Sequence, residues 1–164
     1  RLESVAYLMA GFTNDSGAPI LPGPAMLYAD GALVGAADLP LIAAGTTAEV
    51  GFGAIDGLTL TRTIPDRTEG DSGILSKSNE ISETAILTVE NRTSEDWPIR
   101  VLDQVPYSEQ EDLVITHTAT PPATETDVEG KRGVLAWDMA LAAGQSAEIR
   151  LETRMKWPED MALE

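Results

Sequence analysis

Three observations predict an all-β chain. Apolar and polar residues alternate with period two through most of the sequence, turn residues interrupt them at short intervals, and no segment of eleven or more residues has apolar spacing of three and four. The class that fits is an antiparallel β-sandwich, with an immunoglobulin-like C-terminal half.

The elements follow in chain order. Residues 4–12, 25–29, 32–38, 47–53 and 58–64 read as strands. Asp30-Gly31 joins the second to the third as a hairpin, because Gly tolerates the positive φ of a type I′ turn. Residues 21–24, Leu-Pro-Gly-Pro, bracket a rigid turn. Residues 84–90 and 99–103 flank the polar, proline-closed connection 91–98. Residues 112–118 form a further strand, with Leu113 and Ile115 on one face and Val114 and Thr116 on the other. The stretch 119–132, with two prolines and little apolar content, reads as a loop or sheet crossover.

The last two strands alternate most cleanly. Leu135, Trp137, Met139 and Leu141 share one face of the first. In the second, Ala147, Ile149, Leu151, Thr153, Met155 and Trp157 oppose Glu148, Arg150, Glu152, Arg154 and Lys156. A half-buried strand with a charge ladder facing water is the expected result. Only the tail from Pro158 has a helix start, with Glu159 and Asp160 in its first turn.

The predicted organisation is an N-terminal β subdomain (1–65), a linker or long loop (66–80), an immunoglobulin-like sandwich (81–158) and a tail (159–164). An internal echo bears on the number of sandwiches. Residues 43–50 and 142–149 agree at five of eight positions, each with Ala-Ala-Gly ahead of an alternating strand. Turn chemistry alone produces such a likeness and is the simpler account. The sharper one is two tandem sandwiches of five strands each, and ten strands in one large sandwich or mixed sheet fit nearly as well.

Composition excludes several functions. The 164 residues carry 11 Lys plus Arg against 27 Asp plus Glu, a net charge of −16. Nucleic acid and anionic membrane surfaces require clustered basic residues, and here these are scattered. No apolar run reaches the length of a membrane-spanning helix, so no direct membrane insertion is expected. Zero cysteines remove thiol nucleophiles, thiolate zinc sites and disulfides. The chain opens on Arg1 and closes on Leu163-Glu164, and is read as a fragment of a longer protein.

Candidate chemistry is sparse. Gly70-Asp71-Ser72-Gly73 matches a string found around serine-protease nucleophiles, but a triad needs a His and a buried Asp. The one His, His117, sits between two threonines in a strand, so the string reads as a turn. With no second His and no Cys, His117 is a poor start for a transition-metal site. The acidic clusters Asp66–Asp71, Glu109–Asp112 and Glu125–Glu129 lack the EF-hand pattern. No phosphate-cradling glycine loop is present. Neither a metal nor a cofactor is expected. Most of the eight aromatics occupy alternating apolar positions and read as core; Trp97 and Tyr107, beside Pro98 and Pro106, are the exceptions. Trp97, Tyr107, Glu109, Glu111 and Asp112 are therefore the candidate binding residues, with no catalytic set.

Several stretches together resemble a known family. Ile20-Leu21-Pro22-Gly23-Pro24 runs into Leu27-Tyr28-Ala29-Asp30-Gly31-Ala32-Leu33-Val34-Gly35. Gly51-Phe52-Gly53, Val89-Glu90-Asn91 and the segment Val101 to Ser108 follow, and Gly133 to Trp137, Leu141 to Gly144 and Lys156-Trp157-Pro158 close the pattern. Over about residues 17–158 their order resembles the C-terminal part of the mucoidy inhibitor A family, a bacterial domain of unknown function. The resemblance implies a preceding coiled-coil segment and a periplasmic or envelope-associated location, and brings no catalytic residues.

Two functions follow as expectations. The first is a non-catalytic β-sandwich module that docks a protein partner, the coiled-coil part of its own full-length chain, or an envelope polysaccharide. The alternative is a carbohydrate-binding or carbohydrate-active domain using the carboxylates of Glu109, Glu111 and Asp112 beside Tyr107.

Overall fold

Alternation confers a two-sided character on each segment, and a sheet with one apolar face must cover it with another sheet. The computed structural model describes residues 5–29, 31–71 and 78–158. Strands make up 69% of it and the sheets are antiparallel, in keeping with a β-sandwich. The strands are β1 (Val5–Thr13), β2 (Gly23–Ala29), β3 (Ala32–Leu39), β4 (Thr47–Asp71), β5 (Ser78–Asn91), β6 (Trp97–Gln104), β7 (Val114–Thr120), β8 (Glu125–Thr126), β9 (Val134–Leu141) and β10 (Ser146–Pro158).

Two compact units divide at Asp56/Gly57, so β4 contributes to both. Residues 47–53 and 58–64, expected as separate strands, are parts of this one strand. Backbone pairing of β4 with β5 continues as far as Asp71↔Asn79. The polar stretch 66–80 thus holds strand on both sides of residues 72–77, which lie outside the described residues together with Asp30 and the tail 159–164.

In the larger unit, β4, β5, β10 and β7 form one sheet and β6, β9 and β8 the other. Ala85, Leu87 and Val89 from β5 and Ile149 and Leu151 from β10 meet Val101, Val105, Leu135, Trp137 and Leu141 from the β6–β9 side in one buried cluster. Register explains the match: Ile149 lies opposite Leu87 and Leu151 opposite Ala85, on one side of the sheet. The expected charge ladder of β10 faces outward, with Arg154 Nε 3.1 Å from Glu80 and Arg150 Nε 2.8 Å from Glu152. Trp137 is 1% exposed, and its indole N–H donates to the Pro121 carbonyl at 3.0 Å.

An ion pair links the two sheets. Asp103, on β6, is buried, and its Oδ2 accepts from Arg62 Nε of β4 at 3.0 Å; Glu83 lies 3.8 Å from the same guanidinium. A buried carboxylate is tolerable only with such a partner.

The smaller unit, Val5–Asp56, pairs β1 with the first part of β4, and β2 with β3. Among the described residues its buried apolar side chains are Leu27, Ile42 and Val50. Three aromatics expected in the core, Tyr7, Phe12 and Tyr28, are exposed instead. Alternation shows which residues share a face of a strand; it does not show whether another sheet covers that face.

Both units turn the same corner. In each, a strand runs out at a buried Asn, the residue after β1 or the last of β5, followed two residues later by Ser or Thr: Asn14-Asp15-Ser16 and Asn91-Arg92-Thr93. Asn14 Nδ2 donates to the carbonyls of Ala18 and Ile42, and Asn91 Nδ2 to those of Glu95, Leu141 and Ala142. Each Oδ1 accepts from the backbone N–H and the hydroxyl two residues on. The backbone N–H of Asn14 donates to Thr46 and that of Asn91 to Gln145, in the two Ala-Ala-Gly turns of the internal echo. The echo is therefore a repeated structural corner. Both triplets also match the N-glycosylation acceptor pattern, but each Asn side chain is buried and hydrogen-bonded.

Candidate functional site

The candidate residues fall at opposite ends of the β6–β9 ladder. Trp97 opens β6 opposite Leu141, while Gln104 pairs with Val134 at the other end, where the chain continues to Tyr107. Seven strand rises of about 3.3 Å separate the ends by roughly 23 Å. Trp97 is half-buried and its indole N–H donates to Thr93 Oγ1 at 2.9 Å, so it closes the Asn91 corner.

The loop from Val105 to Leu113 carries the other four residues. Val105 is buried and its N–H donates to the Gly133 carbonyl at 2.9 Å, fixing the loop's first residue to the start of β9. Beyond it Tyr107 is 58% exposed. The Arg132 guanidinium carbon stands 4.8 Å from the centre of the Tyr107 ring, and Arg132 Nη1 donates to Glu109 Oε1 at 3.1 Å. The Gln110 N–H donates to Ser108 Oγ and that of Leu113 to the Gln110 carbonyl, turning the loop back on itself. Glu109, Glu111 and Asp112 are all exposed. Arg132 brings Tyr107 and Glu109 together; Trp97 belongs to another part of the unit.

Next to this loop, Asp127 Oδ1 accepts from the Gly133 N–H at 2.7 Å. Glu129 accepts from Lys131, and that hydrogen bond holds its carboxyl below the ordinary range. On the outer face of β6 and β9, Arg100 pairs with Glu125 and, at 3.0 Å, with Asp138. The hydrogen bond to Glu125 is the main reason its pKa lies above the usual value. These are exposed pairs, and such pairs contribute little to stability.

The family model of a domain of unknown function, DUF4139, matches residues 8–159. The chain belongs to the DUF4139 family. Neither a curated protein nor a solved structure shows significant similarity to it. The family description names no activity, and a fold by itself assigns none, so any chemistry of this DUF4139 chain lies in its own side chains.

His117 lies exposed on β7, at a shallow hollow of about 160 Å³ lined also by Ser82, Thr118, Glu152 and Arg154. Among the described residues no group of three His, Asp or Glu side chains is placed to hold a metal ion. Gly70 and Asp71 close β4, and Ser72 and Gly73 lie outside the described residues.

Two features escaped the sequence reading. Arg132 organises the loop, and its one signal was its place beside Gly133. The large apolar side chains exposed on the smaller unit were signalled by consecutive Leu33-Val34 in a chain segment without Lys or Arg.

Gly133 tests the loop anchor. Its φ is +78°, and a Cβ there would meet the Val105 carbonyl oxygen at 2.5 Å. Gly133→Ala is expected to cost about 1–3 kcal/mol through backbone strain and displaced carbonyl contact. Chemical denaturation measures the loss, and raised amide exchange at Val105 locates it.

Proposed function

We propose that this DUF4139 domain is a non-catalytic docking module that holds a protein partner at the bacterial envelope. The carrying observation is the surface of the smaller unit, where Tyr7, Met9, Leu21, Met26, Tyr28, Leu33 and Leu41 are exposed. Among these Met26, Tyr28 and Leu33 are neighbours on the β2–β3 pair, and adjoining exposed apolar side chains are a mark of a protein interface. The resemblance to the mucoidy inhibitor A family supports the envelope location.

The arrangement of the loop acids points the same way. Glycoside hydrolysis needs two carboxyl groups facing each other across a cleft. Here Glu109 is 80% exposed and tied to Arg132, and Glu111 and Asp112 are exposed beside it. Tyr107 already carries the Arg132 guanidinium against its ring, which reduces the surface available for stacking a sugar.

Photo-crosslinking in native envelope extracts tests this reading, with the full-length protein carrying the probe at Met26, Leu41 or Tyr107. A discrete protein adduct formed at Met26 or Leu41, and competed by unlabelled domain, is expected. Adducts to polysaccharide alone, or none to protein at any position, would defeat it.

A further inference from the structure

We infer that the outer face of the β2–β3 hairpin is a seat for one amphipathic helix of a partner protein, its apolar stripe bordered by Lys or Arg. The inference rests on the docking reading and specifies the occupant. Register puts Pro24 opposite Asp38, Met26 opposite Ala36 and Tyr28 opposite Leu33, with Val34 at the irregularity between Leu27 and Tyr28. Met26 is 72% exposed, Tyr28 57% and Leu33 59%, whereas Leu27, on the other face, is buried.

The larger unit supplies an internal control. Its β6–β9 pair occupies the corresponding place after the shared Asn corner, and Pro98↔Ala140 and Arg100↔Asp138 are its exposed outward pairs. Where that face carries an ion pair, Arg100 with Asp138, the hairpin carries Met26 and Ala36. The fold accommodates a charged outer face, so the apolar one is a property of this hairpin.

Charge and size define the occupant. Residues 5–56 contain Asp15, Asp30, Asp38, Glu49 and Asp56 and no Lys or Arg. A second copy of the same face would bring like charges together, and an anionic lipid surface would be repelled. A basic border on the partner is complementary. The seven residues of β2 span roughly 23 Å, the length of about 15 helical residues, and two strands about 4.8 Å apart suit the width of one helix.

The probes are two peptides of about 15 residues with the same leucine stripe, one flanked by Lys and one by Glu, titrated into the purified chain by NMR. The Lys peptide is expected to shift amides within residues 23–39 and to bind at least about tenfold more tightly than the Glu peptide, with affinity falling several-fold in high salt. The triple variant Met26→Ser, Tyr28→Ser, Leu33→Ser should lose binding while keeping its melting temperature, and Arg100→Ser should keep both. Equal binding of the two peptides, shifts centred on residues 105–113, no binding, partition into phosphatidylcholine vesicles, or a dimer buried through this face would each overturn the inference. If the helix is overturned while Met26 or Leu41 still crosslinks a protein, the docking reading survives without it.

Discussion

Asn91→Ala lowers the stability of the larger unit by about 3–5 kcal/mol, among the largest effects of any single side chain in this fold. Asn91 is 1% exposed and its amide donates to three carbonyls, those of Glu95, Leu141 and Ala142. Its Oδ1 takes the N–H and hydroxyl of Thr93. Alanine strands these groups in a site too closed for full hydration, and each buried unsatisfied group costs about 1–3 kcal/mol. Asn91→Asp separates hydrogen bonding from volume. It preserves shape and the Oδ1 acceptor but turns a carboxylate oxygen, an acceptor, toward three carbonyl oxygens, so it should be at least as damaging as alanine. Thermal and urea unfolding of both variants measure this. An Asp variant near wild-type stability would show that the corner is held by packing.

The second large effect concerns the ion pair between the sheets. Arg62→Met leaves the Asp103 carboxylate, 1% exposed, without its guanidinium partner 3.0 Å away. The expected loss is about 3 kcal/mol, because an uncompensated buried charge forfeits its solvation without return. The double variant Arg62→Met, Asp103→Leu removes both charges and should recover most of that loss, to within about 1 kcal/mol of wild type. Urea midpoints of the two single variants and the double one complete the cycle. Additive losses would mean that the two side chains act independently.

How much of this was legible beforehand depends on the range of each interaction. The pattern of β10 identified its buried and solvent faces residue by residue, because alternate residues of any strand point to opposite sides. The turn 142–145 and its relative at 43–46 were readable from Ala-Ala-Gly. Their shared partner, a buried Asn some thirty to fifty residues earlier in sequence, was not, since short-range turn preferences carry no information about a distant carbonyl. The sequence pattern starts a strand at Asp112, whereas the acidic loop runs on to Leu113 before β7, and the residue that ties the loop, Arg132, enters from beyond it.

Tyr7 and Tyr28 mark the limit most clearly. Their spacing is that of core residues, and they face outward. By itself the sequence determined the all-β class, the acidic balance of the chain, and the polar face of β10. Tertiary structure alone decided which apolar faces are covered, that Arg62 meets Asp103, and that one hairpin keeps a bare apolar surface. The reason is physical: side-chain direction along a strand is set by adjacent peptide units, whereas burial requires a second sheet brought there by contacts far apart in the chain.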